Sequence, residues 1–139
     1  MEEQPVRFCI SPDGVRLAYV VTGKGPPVVK VANWMGNLEF DVRGPWQHWI
    51  RELSKDHAFL RFDQRGCGLS DRRVQELSHE AWVRDLEIVV DAAGLDRFTL
   101  LGLSPGGATA IDYAVRHPDR VSHLVVVGTF ARGWNRAGL

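Results

Sequence analysis

The stretch GLSPGG, residues 102–107, decides the fold of this chain. It follows an apolar run, Phe98 to Leu101, and precedes small residues that open a helical pattern ending at Pro118. The segment therefore predicts a strand, a sharp turn and a helix, and its first five residues fit the pattern G-x-S-x-G. In that context Ser104 is held on a strained turn, where a nucleophile would stand exposed. The plainer alternative is a glycine-rich turn in which Ser104 only caps the helix.

The rest of the chain alternates apolar strands with amphipathic helices. Two strands around a turn are predicted at 7–10 and 15–20, and further strands at 28–31, 58–62, 98–101 and 121–127. Three helices are predicted: one with Pro45 in its first turn, one from Ser78 to Gly94, and one from Pro105 to His117. We therefore expect an α/β fold: a mostly parallel sheet of about six strands with helices on both faces.

The bulk composition excludes several function classes. Lys+Arg and Asp+Glu number 17 each among the 139 residues, which gives no electrostatic argument for binding nucleic acid or an anionic membrane. The two cysteines, Cys9 and Cys67, have neither metal-ligand spacing nor the density of a disulfide scaffold. No ligand cluster and no dinucleotide-type glycine loop is present, so we expect neither metal nor organic cofactor. Without a signal-peptide layout or an apolar run of about 20 residues, a cytoplasmic location is expected.

Three ordered motifs resemble the α/β-hydrolase superfamily. The first is the turn at 102–106, and the second is the loop Asp63 to Asp71, which matches D-x-R-G-x-G-x-S-D. The third, Tyr113 to Val121, is similar to the run that leads from the helix after the serine into the next strand. With residues 32–35 after the third strand, the likeness to bacterial members covers nearly the whole chain. It implies a serine hydrolase of carboxylic esters that transfers the acyl group of a small ester or lactone through Ser104.

The resemblance also implies an oxyanion hole made of two backbone N–H groups. One comes from the loop after strand three, and by position it is Trp34, with Asn33 as the alternative. The other comes from the residue after the serine, which here is Pro105 and has no N–H to donate. Loss of one such donor costs about 100- to 1,000-fold in rate in other hydrolases.

The family pattern has eight strands, an acid after strand six or seven and a histidine after strand eight. We therefore expect residues 1–139 to form a single, incomplete core domain in which the cap and the last strands are absent. No histidine follows His123, and residues 129–139 contain no carboxylate side chain. All five histidines of the chain are expected to be structural or on the surface: His48, His57, His79, His117 and His123.

Three functions remain open at this point. The first is the serine hydrolase, weak or incomplete in this chain. The second is a non-catalytic binding or sensing module that keeps the pocket, and Pro105 favours it. The third is a fragment whose partner half supplies the acid and the histidine.

The last predicted strand, 121–127, is expected to form an open, very apolar sheet edge. We therefore predict a homodimer in which two copies of this strand pair antiparallel and continue the sheet. That pairing would also bring His123 of one copy toward Ser104 of the other, where it could act as a base.

The remaining conspicuous residues have structural interpretations. Asp63 and Arg65 are expected to brace the loop beneath the site through a charge pair, and Cys67 to fill a tight Gly-x-Gly turn. Three tryptophans are expected on the apolar, core-facing sides of helices: Trp46, Trp49 and Trp82.

Overall fold

The computed structural model describes residues 5–130 and shows one six-stranded sheet with helices on both faces. Its strands are β1 (Arg7–Ile10), β2 (Arg16–Thr22), β3 (Pro27–Lys30), β4 (Ala58–Phe62), β5 (Phe98–Leu103) and β6 (Val121–Val127). Its α-helices are α1 (Leu38–Asp41), α2 (Gln47–Asp56), α3 (His79–Ala92) and α4 (Gly106–Arg116), and a 3-10 turn spans Pro118–Arg120. The predicted α/β fold is confirmed.

The strand order is β1-β2-β4-β3-β5-β6. The pairs β1–β2 and β2–β4 are antiparallel, and the pairs β4–β3, β3–β5 and β5–β6 are parallel. In such a sheet ligands bind beyond the carboxyl ends of the parallel strands. Because β3 lies between β4 and β5, the loops after these three strands meet at one edge of the sheet.

Successive residues of the central strands face opposite helices, as a two-residue repeat requires. Leu100 belongs to a buried cluster with Leu86 of α3 and Tyr113 of α4. The next residue, Leu101, packs in a second cluster with Ile50 of α2. This alternation places α3 and α4 on one face and α2 on the other.

Three local features of the segment before β4 differ from the sequence prediction. The sequence pattern does not predict helix α1. The Asn37 side chain caps the first turn of this helix by accepting hydrogen bonds from two backbone N–H groups. Pro45 precedes α2, which begins at Gln47. Trp49, predicted to lie in the core, is 42% exposed, because Ile50, about 100° further round the helix, is the residue turned toward the sheet.

Strand β6 forms one edge of the sheet within residues 5–130, opposite the β1 edge, and it pairs with β5 alone. Its apolar residues from Leu124 to Val127 are between 40% and 47% exposed. In the β5–β6 register, His123 lies opposite Thr99, whereas Val127 lies opposite Leu103, which is next to Ser104. Within one chain His123 therefore lies about 13 Å from the Ser104 end of the strand.

None of the helices in the described part of the chain is both long and apolar enough to cross a membrane. The tail without carboxylate side chains lies mostly outside the described residues, since these end at Phe130.

Candidate active site

Ser104 stands on the sharp turn between β5 and α4, with its backbone in the left-handed region at φ +52°. Its N–H donates to the Val127 carbonyl at 2.9 Å, and its own carbonyl accepts from the Gly107 N–H at 3.0 Å. A serine in this region is strained, and such strain collects at functional sites. The residue is exposed, and α4 has no side-chain cap, so the plain capping alternative does not describe this turn.

The glycines around Ser104 are required by close approaches of the chain. A Cβ on Gly102 would lie 2.7 Å from the Gly107 Cα and 2.8 Å from the Ala110 Cβ. A Cβ on Gly107 would overlap the Thr129 side chain, and one on Gly106 would lie 3.3 Å from the Ala32 carbonyl oxygen. The sequence GLSPGG therefore lets β5, α4 and the loop after β3 meet at Ser104.

A cavity of about 320 Å³ opens beside this turn. Its lining comes from the loops after β3 and β4 and from the first turns of α3 and α4: Ala32, Asn33, Trp34, Gln64, Trp82, Pro105, Gly106 and Thr109. A second space of about 10 Å³ shares Ala32, Gln64, Trp82 and Thr109 and is also lined by Asp85. The larger cavity has no ionisable side chain in its lining, so it suits an uncharged ligand.

The structure brings Trp34 and Pro105, the two positions expected to form the oxyanion hole, to the same cavity. Trp34 lies in a turn closed by the Gly36 N–H, which donates to the Asn33 carbonyl at 3.2 Å. Trp34, which lines the cavity, is 71% exposed. Since proline has no N–H, these two positions offer one backbone donor between them.

A buried lysine holds the loop that carries Trp34. The Lys30 ammonium donates to the Asn33 Oδ1 at 2.8 Å and lies 5.2 Å from the centre of the Trp46 ring. Burial lowers the pKa of Lys30, an effect that the nearby carboxylates of Asp41 and Asp63 oppose. Asn33 therefore faces the cavity with its side-chain oxygen already engaged.

The loop after β4 is braced, but the predicted charge pair of Asp63 and Arg65 is wrong, because each side chain has other partners. The buried Arg65 guanidinium pairs with Asp85 of α3 and with Asp13 of the β1–β2 turn. Hydrogen bonding to Asp85 raises the pKa of Arg65 further above its usual range. Asp63 instead accepts from the backbone N–H groups of Leu38 and Leu69, at 3.3 and 2.8 Å.

All five histidines lie within the described residues, and none of them lines the cavity. His48 and His57 belong to the end regions of α2, and His79 pairs with Asp112 on the outside of α4 at 2.8 Å. The His117 ring packs on Tyr113, with centroids 4.6 Å apart, and His123 lies on β6. The structural or surface roles expected for them match these positions.

Trp82, Gln64 and Thr109 are cavity residues that the sequence pattern does not identify. Trp82 is predicted to lie in the core, yet it faces the cavity because the first turns of α3 begin at the carboxyl edge of the sheet. Its Nε1 is buried and has no hydrogen-bond partner among residues 5–130. For Gln64, the available signal is its position directly after Asp63 at the end of β4.

The described residues offer no metal site. No cluster of three or more histidine, cysteine, aspartate or glutamate side chains among them could hold a metal ion. Cys9 and Cys67 are both free.

Comparison with known proteins gives three informative similarities. The chain is 29% identical over 129 residues to the bovine (Bos taurus) palmitoyl-protein thioesterase ABHD10, mitochondrial, covering 92% of this chain and 42% of that protein. A hydrolase from Pseudomonas aeruginosa PA01 superposes with a TM-score of 0.81 at 27% identity, over 96% of this chain and 49% of the other. The esterase RhEst1 from Rhodococcus sp. ECU1013 superposes with a TM-score of 0.75 at 30% identity, over 90% and 46%.

The chain thus spans less than half the length of each of these three proteins. The sequence profile described as alpha/beta hydrolase fold matches residues 32–137, which include the serine turn and every loop that lines the cavity. This chain belongs to the alpha/beta hydrolase fold family.

Proposed function

We propose that this protein is a hydrolase of uncharged carboxylic esters and that Ser104 is its nucleophile. The observation that carries the proposal is the exposed, left-handed Ser104 beside a cavity lined by the two residues that follow it. A palmitoyl-protein thioesterase and an esterase are among the proteins similar to this chain, and an ester substrate agrees with both.

The reaction would proceed by acyl transfer in two steps. The Ser104 Oγ attacks the ester carbonyl carbon, the bond from that carbon to the alkoxy oxygen breaks, and the proton of Ser104 goes through a base to the departing alcohol. Water then attacks the acyl-serine, releasing the acid and restoring the hydroxyl. In both steps the Trp34 N–H donates to the negative carbonyl oxygen.

The base would be supplied across the open edge of β6. A second copy of the chain, paired antiparallel along its own β6, places its His123 toward the Val127 end of the first strand, where Ser104 lies. The exposed apolar residues from Leu124 to Val127 would be covered by the same pairing. A partner half that supplies an acid and a histidine at this edge is the alternative source.

Pro105 favours a second function, a non-catalytic ligand-binding module. The cavity is present, while one of the two expected oxyanion donors is replaced by a residue without an N–H. For either function we propose a cytoplasmic location, which agrees with the two free cysteines.

Hydrolysis of short p-nitrophenyl esters tests the proposed function directly. Activity is expected in the native chain and in Ser54→Ala, whose serine lies on α2, and is expected to be absent in Ser104→Ala. The oligomeric state is recorded on the same samples, with His123→Ala testing the base. Activity that survives Ser104→Ala would contradict the proposal, and background rates in every sample would favour the binding module.

The oxyanion role of the Trp34 N–H can be separated from that of its side chain. Trp34→Pro removes the N–H at the second position of a turn, where proline is well accommodated, whereas Trp34→Ala keeps it. We expect Trp34→Pro to lose about 100-fold in kcat relative to Trp34→Ala. Equal kcat values in the two variants would remove Trp34 from the mechanism.

A further inference from the structure

Lys30, the last residue of β3, is a buried cation whose contacts do not account for its burial. The one hydrogen bond that its ammonium makes within residues 5–130 goes to the Asn33 Oδ1, at 2.8 Å. The nearby carboxylates of Asp41 and Asp63 accept instead from Arg61 and from backbone N–H groups, respectively. Because burying a cation without a carboxylate partner costs free energy, stability alone does not explain a lysine at this position.

Asn33, the residue that Lys30 holds, lies next to the serine turn. It lines the candidate cavity together with Gly106, the first residue of α4. A Cβ on Gly106 would stand 3.6 Å from the Asn33 Cβ, so the two residues are packed closely. Asn33 therefore has the Lys30 ammonium at its side-chain oxygen and, beside its Cβ, the start of the helix that follows Ser104.

The peptide between Asn33 and Trp34 carries the donor of the proposed oxyanion hole. The Asn33 carbonyl and the Trp34 N–H belong to one planar trans unit, in which they point in opposite directions. The carbonyl accepts from the Gly36 N–H at 3.2 Å, which is at the long end of the range for such bonds. The charge-assisted bond from Lys30 is shorter and stronger. These two bonds together fix Asn33 and, through the shared peptide, the direction of the Trp34 N–H.

We propose that Lys30 is a positioning residue for ester hydrolysis: through the Asn33 carboxamide, its ammonium holds the peptide whose N–H donates to the oxyanion. This rests on the proposed function, which gives the Trp34 N–H that task. It goes beyond it in assigning part of the oxyanion hole to a side chain outside the cavity. Because the oxyanion forms only during the reaction, loss of Lys30 should lower kcat and leave KM unchanged.

Lys30→Met tests this with p-nitrophenyl butyrate as substrate. Methionine has a similar length and no charge, so the fold is expected to be retained. We expect kcat to fall about tenfold at unchanged KM, less than for complete loss of the N–H. The control is Lys55→Met, because Lys55 pairs with Glu52 on the surface of α2 and should leave kcat at the native value. Equal kcat values in Lys30→Met and the native chain would overturn the proposal.

The same substitution in Trp34→Pro separates positioning from a general structural role. Trp34→Pro lacks the N–H that Lys30 is proposed to hold. Adding Lys30→Met to it should therefore cause no further loss of kcat, since the two changes act on one group. A further tenfold loss in the double variant would show that Lys30 acts on something else and would overturn the proposal.

The motion of the Trp34 amide gives a readout that needs no turnover. Asn-Trp occurs once in the sequence, so carbonyl-¹³C asparagine combined with ¹⁵N tryptophan selects this one amide in an NMR spectrum. Its order parameter is expected to be about 0.85 in the native chain and in Lys55→Met, and below about 0.6 in Lys30→Met. An order parameter that Lys30→Met leaves unchanged would overturn the proposal.

The two readouts distinguish this inference from the proposed function. If the order parameter falls in Lys30→Met but the native chain hydrolyses no ester, the proposed function fails and Lys30 still holds the peptide. If the native chain hydrolyses esters and Lys30→Met changes neither kcat nor the order parameter, the proposed function stands and the role of Lys30 fails.

Discussion

Arg65 and Asp85 form a bidentate ion pair that is closed to solvent, with the Arg65 Nε 2.6 Å from one carboxylate oxygen and Nη2 2.8 Å from the other. A second carboxylate, Asp13, accepts from the same guanidinium at 2.7 Å. The three residues join the β1–β2 turn, the loop after β4 and helix α3. The Arg65 side chain thus links the loop after β4 to helix α3, two elements that line the candidate cavity.

Neutralising Asp85 should destabilise the protein strongly. Asp85→Asn leaves the buried Arg65 charge partly uncompensated, and we expect a loss of about 3 kcal/mol in the free energy of unfolding. Urea denaturation measures this loss. Glu80→Gln is the control, because Glu80 pairs with Arg116 on the surface, where such pairs contribute little to stability. A loss for Asp85→Asn no larger than that of the control would contradict the bracing role.

Adding a methyl group at Gly102 should also be costly. The new Cβ would overlap the Gly107 backbone and the Ala110 side chain, so we expect Gly102→Ala to lose about 2–3 kcal/mol of stability. Gly36→Ala is the matched control, because its Cβ would find nothing closer than 3.4 Å and its φ is not in the left-handed region. The prediction is wrong if the two variants unfold at the same urea concentration.

Ser104 should be required for ester hydrolysis while its strained backbone lowers the stability of the protein. At φ +52° a glycine is unstrained while alanine keeps the strain, so Ser104→Gly is expected to be about 1 kcal/mol more stable than Ser104→Ala. Both variants should be inactive on esters. Thermal or urea unfolding of the pair measures the difference, and a less stable Ser104→Gly would show that the turn is not strained at this residue.

Pro105 should limit the rate of ester hydrolysis. Its backbone has φ −63° and ψ −22°, which alanine also adopts, so Pro105→Ala restores an N–H without disturbing the turn. We expect kcat to rise by about 10- to 100-fold, in line with the effect of a single oxyanion donor. The double variant Ser104→Ala/Pro105→Ala should stay inactive. An unchanged kcat in Pro105→Ala would mean that the restored N–H does not reach the oxyanion.

The Cys9 thiol should make stability fall at alkaline pH. Burial, reinforced by the charge of Asp85, raises the pKa of Cys9 from 9.0 to about 11. Ionisation then favours the unfolded chain, so stability that is complete below pH 9 is lost as the pH rises toward 11. Since Cys9 is partly exposed, we expect native protein to lose about 1 kcal/mol relative to Cys9→Ala between pH 8 and 10.5.

Urea denaturation at the two pH values measures this difference, and Cys67→Ala serves as the control that should follow the native protein. Parallel pH profiles for the native protein and Cys9→Ala would show that the thiol does not couple to folding.

The segment from β5 to the end of α4 could be predicted in detail because its signals are local. The apolar run, the glycines at 102, 106 and 107 and the stop at Pro118 act within a few residues of one another. Strand and helix periodicity is likewise a property of neighbouring residues. The sequence by itself therefore determined the α/β fold, the strained serine turn and the missing N–H at Pro105.

Tertiary structure alone decided which distant residues share the site. Arg65 is 20 residues from Asp85 and 52 from Asp13, and no local pattern indicates either partner. Trp82 follows a core-like helical pattern and nevertheless faces a cavity. The reason is the strand order, in which β3 lies between β4 and β5 and gathers three loops and two helix starts at one edge. Periodicity shows which face of a helix is apolar; only the packing shows whether that face meets the core or a cavity.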